Sequence, residues 1–430
     1  MIHVNKNISG LKPSATLAIN QKVQELKKQG KAIYHFGFGQ SPFPIHSSIV
    51  DKLKVHASNN QYLPTSGLEA LRVKIAGFLQ KHQDVNVDAH HLFIGPGSKE
   101  LLFQTILVLE GTFLIPKGSW VSYGPQIKSK GGSYTILDTF FGNGFKLTPE
   151  VLESFCKKNP SGQKSLILNS PNNPTGEVYS HDELKSLALI CRQYNIIVLS
   201  DEIYSQINFE SDCSPSIAQY YPERTIIYGG LSKVFSAGGY RLGFMSLPKD
   251  LYELHTVFRS LFSETFSAVA SPIQYAAIEA FKMKDPLKQY IKMSSAILKN
   301  MASFIYNNLT SVGLECTYSK GAFYMMIGFN NFKSQLETLK IYTSEQLAIY
   351  LLDENGIALL PSTDFYFGES ELFLRLAFVD FDGSDVLQAY STKKGIIDEN
   401  FIKEYCPNIF NGTMGLVDII GRLKNQKVGS

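Results

Sequence analysis

The chain has 430 residues, of which 44% are hydrophobic, 18% charged and 12% aromatic, a balance that sustains large buried cores and excludes disorder as the main state. Lysine plus arginine (41) exceeds aspartate plus glutamate (38) too slightly for a phosphate-backbone binder, so nucleic acid is not expected as a partner. Five scattered cysteines, a start without a signal-peptide core and no stretch near the roughly 20 apolar residues of a membrane span point to the reducing cytoplasm and away from membranes.

The first predicted element is a helix from about Ser14 to Gln29, stopped by Gly30. Leu92-Phe-Ile-Gly-Pro-Gly-Ser98 reads as a strand and turn leading into a helix over Lys99 to Glu110. A second buried strand, Ser165-Leu-Ile-Leu-Asn-Ser170, passes through Pro171-Asn-Asn-Pro-Thr-Gly176 to the capping box Ser180-His-Asp-Glu183, which opens a helix to about Asn195. Ile196–Ser200 and Thr225–Tyr228 are further strand runs. Such alternation argues an α/β fold, a mainly parallel sheet between helices. Asp285-Pro286 is an N-cap and first-turn pair for a long helix to about Leu309. Beyond it the pattern becomes mixed, with strands at Ala322–Ile327 and Leu372–Phe378, and a smaller α+β domain is expected there. The expected division is an arm and part of the small domain over 1–45, a large domain over 46–290, and the small domain over 291–430.

Ligands of an open α/β sheet gather beyond the C-terminal ends of its strands. Ser98, Asn173, Asp201, Tyr204 and Lys233 stand at or just past those ends. Alone, Lys233 reads as a solvated surface lysine. Gly229-Gly230 before it, with Gly238-Gly239 and Arg241 after it, change that reading. A lysine desolvated beside other cations has a lowered pKa and can form a Schiff base with an aldehyde. Arg375 is one of only seven arginines and interrupts the apolar run Leu372–Val379. A buried guanidinium needs partners, and both a structural ion pair and a fork for a substrate carboxylate meet that need.

The stretch Ser232-Lys-Val-Phe-Ser-Ala-Gly-Gly-Tyr-Arg-Leu-Gly243 resembles the cofactor-lysine signature of class I pyridoxal 5'-phosphate aminotransferases of fold type I. Lys12-Pro-Ser-Ala-Thr16, Tyr62 to Arg72, Ser170 to Gly176, Asp201-Glu-Ile-Tyr204 and Phe373-Leu-Arg375 extend the likeness, which is to the prokaryotic aspartate aminotransferase branch. The resemblance implies pyridoxal 5'-phosphate carried on Lys233, with Asp201 facing the pyridine nitrogen and Asn173 and Tyr204 at the phenolic oxygen. It implies Trp120 flat against the ring, with Tyr123 as the fallback; for both, ordinary core packing is the alternative. The phosphate would rest on the backbone of Gly97 and Ser98, with the Ser232 hydroxyl and Arg241 beside it and Tyr62 reaching in from the other subunit of a homodimer. Arg375, with the Gly39 backbone, would take the substrate α-carboxylate, and Trp120 and Asn173 would also border the substrate. Lys99 is either a distal-carboxylate partner or a solvated first-turn residue.

Two departures from the family pattern stand out: Gly230 replaces a phosphate-binding serine, and Gly37-Phe-Gly-Gln-Ser-Pro42 replaces Gly-x-Gly-Glu-Pro. The implied reaction is transamination in two halves, from an L-amino acid such as aspartate to a 2-oxo acid such as 2-oxoglutarate, with Lys233 as general base. Aromatic or other neutral donors, and C–S β-elimination on the same residues, are the alternatives. A pyridoxal-binding sensor of a transcription regulator would need a DNA-reading module, and no basic helix-turn-helix precedes Lys12.

Overall fold

Short apolar runs punctuated by glycine, proline and asparagine become the strands of a computed structural model that describes residues 2–425. Strand β1 (Tyr34–His35) is followed by β2 (Leu92–Gly95), β3 (Thr112–Pro116), β4 (Ser133–Leu137), β5 (Lys164–Asn169), β6 (Ile197–Asp201), β7 (Thr225–Gly230) and β8 (Gly243–Ser246). The seven from β2 to β8 form one sheet in the order β2-β8-β7-β6-β5-β3-β4. Strands β3 to β7 run parallel, while β8 is antiparallel to both its neighbours. Strands β5, β6 and β7 are buried at every position, as expected of a sheet covered by helices on both faces.

Further along lie β9 (Glu315–Cys316), β10 (Tyr324–Gly328), β11 (Ile357–Ala358), β12 (Leu360–Pro361) and β13 (Phe373–Ala377). Four of them form an antiparallel sheet in the order β12-β13-β10-β9, and β11 pairs in parallel with β1. The amino-terminal segment therefore joins the second lobe through main-chain pairing. One apolar cluster runs from Phe244 and Phe281 of the large sheet's surroundings to Phe323, Leu374 and Leu416 of the second lobe. A second, around Phe93, Phe113, Tyr123 and Phe258, packs at the large sheet, and a third joins β5 and β6 to the helix His181–Gln193.

The capping box at Ser180 forms with both of its hydrogen bonds. The long helix spans Asp285–Ser311, but its N-cap is Lys284 rather than Asp285. Asp285 thus sits inside the first turn, where a carboxylate still complements the helix dipole. Two helices, Glu399–Tyr405 and Pro407–Asn425, close the described chain; they pack on each other, and the second packs on the long helix. Among the described residues, no helix is long and apolar enough to cross a membrane.

Two registers matter for chemistry. Asn169 lies opposite Asp201 across β5 and β6, so two polar side chains end adjacent apolar strands side by side. Gly95 lies opposite Gly243, which brings the turn after β2 to the segment entering β8.

Candidate active site

A cavity of about 330 Å³ opens past the ends of β5, β6 and β7. All five strand-end residues picked from sequence, Ser98, Asn173, Asp201, Tyr204 and Lys233, line it, and so do Gly39, Lys99, Trp120, Ser232, Arg241 and Arg375. A wider, more open cleft of about 920 Å³, bordered by Lys81, Asp212, Lys288 and Lys299, contains none of them.

The Lys233 amine donates a hydrogen bond of 2.8 Å to the Gly39 carbonyl and lies near the rings of Phe323 and Tyr204. Burial, then the charges of Arg375 and Arg241, push its pKa down to about 8, with Asp201 opposing them. Asp201 is buried, and its Oδ2 accepts the Tyr123 hydroxyl at 2.8 Å. Its other oxygen, Oδ1, has no hydrogen-bond partner among the described residues. Burial raises this carboxyl to about 6, while the Tyr123 hydroxyl, the Ile203 N–H and Lys233 pull it back down.

Tyr123 corrects an expectation. It is fully buried and meets Trp120 edge-on, with centroids 5.4 Å apart at 84°, so it cannot lie flat against a ligand ring. It serves the site from behind, through Asp201, while Trp120 is the aromatic that faces the cavity.

Gly97 is a second correction, because its N–H is committed to the Gly95 carbonyl at 2.7 Å. The free donors at this helix start are the N–H groups of Ser98 and Lys99, which open the helix Ser98–Val108 and have no partner among the described residues. What Gly97 supplies is space: with φ at 96°, a Cβ there would sit 2.6 Å from Arg241 Nη2. Arg241 itself adopts a left-handed φ of 49° and is held by the carbonyls of Gly238 and Pro96. The missing serine at 230 also has a physical cause. A Cβ at Gly230 would lie 2.7 Å from the Leu242 carbonyl oxygen and 2.9 Å from the Gly243 Cα.

On the opposite wall Arg375 is only 1% exposed. Its Nη1 donates to Asn173 Oδ1 at 3.2 Å and its Nη2 to the Gly37 carbonyl at 2.6 Å, while Nε has no partner. The guanidinium lies between the rings of Tyr324 and Phe365, with its central carbon 4.7 and 5.3 Å from their centroids. The alternative of a structural ion pair is not realised: the charge is bonded to an amide and a carbonyl. The Gly39 N–H is likewise free, and a Cβ on Gly39 would collide with the Tyr324 ring and hydroxyl. Lys99 is exposed at the rim, its Nζ 5.1 Å from the Trp120 ring. Tyr62 is 94% exposed and does not line this chain's cavity.

Sequence reasoning missed three kinds of lining residue. Tyr324 lies in a run read only as strand, yet its hydroxyl pairs with that of Tyr204 at 3.0 Å. Asn169 donates to the Asp201 carbonyl and accepts from the Asn173 N–H. A polar residue ending an apolar strand was the available signal for it, the same one that singled out Asp201. Ser14 and Gln40, which border the mouth, carry no such mark.

Residues 33–388 match the family described as aminotransferase class I and II. The chain belongs to the class I and II aminotransferases. It is similar to the aspartate aminotransferase of Geobacillus stearothermophilus, with 33% identity over 370 residues covering 84% of this chain and 91% of that one. The aspartate aminotransferase of Bacillus subtilis is 32% identical over the same shares. Among solved structures, the aspartate aminotransferase from Thermus thermophilus with maleate superposes with a TM-score of 0.81 at 25% identity, covering 92% of this chain and 99% of that one. This aminotransferase therefore has the fold of pyridoxal-phosphate-dependent transferases, depends on that cofactor, and moves amino groups between amino and 2-oxo acids.

Proposed function

We propose that Lys233 is the cofactor-bearing lysine of this aminotransferase, that Asp201 and Arg375 anchor cofactor and substrate, and that the amino donor is a dicarboxylic L-amino acid, aspartate first, with 2-oxoglutarate as acceptor. One observation carries the reading. A desolvated amine, an orphaned buried carboxylate oxygen and an unpaired guanidinium N–H meet in one cavity.

The donor set fits pyridoxal 5'-phosphate group by group. Asp201 Oδ1 suits a protonated ring nitrogen, and the free N–H groups of Ser98 and Lys99 at a helix start suit a phosphate, beside Arg241 and Ser232. Asn173 and Tyr204 are available to the phenolic oxygen, and Trp120 to the ring face. When bound, the cofactor supplies an electron sink for the bonds of the substrate α-carbon. The chain's own residues do the rest. Asp201 holds a negative charge at the ring nitrogen, and Tyr123 fixes the carboxylate that carries it. Arg375 Nε and the Gly39 N–H grip the α-carboxylate and so orient the α-hydrogen. The Lys233 amine, with its pKa near 8, is partly unprotonated at neutral pH and can take that proton.

Aspartate is favoured by the exposed cation Lys99 at the rim, by the relatives' names, and by the Thermus protein's maleate, itself a dicarboxylate. A panel of amino donors with 2-oxoglutarate tests it, and aspartate or glutamate should give the highest kcat/KM. An aromatic donor ahead of both would overturn the substrate assignment, and ammonia with pyruvate from cysteine-type donors would move the reading to elimination. We further propose a cytoplasmic homodimer in which Tyr62 serves the neighbouring site. Five unpaired cysteines and the exposure of Tyr62 support it, and a monomer retaining full specific activity would contradict it.

A further inference from the structure

We infer that the carboxyl-terminal helix Pro407–Asn425 is a positioning element of the active site, acting through the seat that Gly412 makes for Phe36. The inference rests on the assignment of Arg375 and Gly39 to the substrate carboxylate. It concerns a helix that lies outside the residues, 33–388, that match the family.

The helix buries Ile409, Gly412, Leu416 and Ile420 and packs on β1. At Gly412 the approach is so close that a Cβ would lie 2.5 Å from Phe36 Cζ and 3.0 Å from Tyr34 Cβ. Phe36 is fully buried, so its ring cannot swing into solvent to make room. Its carbonyl accepts the Ala377 N–H at 2.8 Å, two residues beyond Arg375 on β13. The very next carbonyl, of Gly37, accepts Arg375 Nη2 at 2.6 Å, and that of Gly39 accepts Lys233 Nζ at 2.8 Å. Four consecutive residues, Phe36 to Gly39, thus carry the helix contact at one end and the carbonyls that hold Arg375 and Lys233 towards the other. Packed interiors pass a displacement on instead of absorbing it. A shift of Phe36 therefore moves the Gly37 and Gly39 carbonyls, and with them the carboxylate grip.

The same helix supplies its own control. Gly421 has nothing within 4 Å of the position a Cβ would take, so Gly421→Ala changes helix propensity alone. Gly412→Ala should raise KM for both the amino donor and the 2-oxo acid about 10-fold, with kcat within about threefold of the parent, because misplacing a binding group by ~1 Å costs up to ~100-fold. Gly421→Ala should leave both parameters unchanged. Phe36→Leu opens the seat from the other side, so the double variant Phe36→Leu/Gly412→Ala should have a KM nearer the parent than Gly412→Ala has. Should Gly412→Ala fail to fold, Phe36→Leu alone must still raise KM for both substrates. An unchanged KM in well-folded Gly412→Ala, an equal rise in Gly421→Ala, or no recovery in the double variant would overturn the inference. Reductive trapping of the cofactor on Lys233 is run in parallel. Trapping at full yield with a raised KM keeps the site assignment, and loss of trapping in the parent enzyme would fault that assignment instead.

Discussion

The two walls of the cavity are built differently. The wall of Asp201, Asn173, Tyr204 and Lys233 comes from turns directly following β5, β6 and β7, adjacent parallel strands buried at every position. The wall of Gly39, Tyr324 and Arg375 joins a segment near the start of the chain to strands 285 residues and more beyond it, and depends on β1, β10 and β13. In the first, the Asn169 side chain ties down the main chain at both neighbouring strand ends, through the Asp201 carbonyl and the Asn173 N–H. In the second, the main-chain carbonyl of Gly37 holds Arg375, and the walls are tied together where the Gly39 carbonyl takes Lys233 and Asn173 takes Arg375. Rigid strand ends suit the group whose chemistry never varies, whereas a wall of remote segments offers more positions at which substrate fit can change, although two hydrogen bonds tie it to the first.

Substitutions on the two walls should then separate into losses of turnover and losses of substrate binding. The largest effect belongs to Lys233→Ala, which removes both the proposed attachment point and the proposed base; kcat should fall by about 10⁴-fold or more, measured by single-turnover kinetics. Asp201→Asn keeps the shape and removes the charge, and a fall in kcat of about 10²- to 10³-fold with little change in KM is expected. Arg375→Ala belongs to the other wall. KM for donor and acceptor should rise about 10²-fold, and Arg375→Lys should recover only part of it because the fork is lost.

Arg375→Ala also makes a pH prediction. The guanidinium is the largest charge depressing the Lys233 pKa, so its removal should raise that pKa. Cofactor capture by the apoenzyme needs the neutral amine, so its rate should climb with pH through about 8 in the parent and through a higher pH in the variant. A profile that stays in place would disconnect the two walls. Tyr123→Phe deletes one hydrogen bond to a buried carboxylate and should lower kcat by about 10-fold, with partial rescue by Tyr123→His. The smallest effect is that of Lys99→Ala. An exposed cation contributes little, so KM should rise only a few-fold, for dicarboxylic substrates alone.

The first wall was legible in the sequence because its groups stand at or just past the ends of apolar runs, as Asp201, Tyr204 and Asn173 do, or sit among glycines, as Lys233 does. The second was legible at Arg375, where a charge inside a strand demanded a partner, and at Gly39 only through the family resemblance. Tyr324 was invisible because an aromatic in a strand reads as packing, and its use depends on β10 pairing with β13 at Met326 and Arg375. Gly97 was placed correctly at the helix start, but the direction of its N–H is set by a tight turn that no residue type encodes. Tyr123 enters from sequence only as the fallback to Trp120 that the family resemblance implies, and the packing of Trp120 shows that its hydroxyl, not its ring face, reaches the site.

Both walls converge on one nitrogen. Purified apoenzyme incubated with pyridoxal 5'-phosphate, reduced with borohydride and digested, should yield a pyridoxyl mass on the peptide containing Lys233 and on no other. A modification confined to a different lysine, or none at all under conditions that load related aminotransferases, would contradict the account.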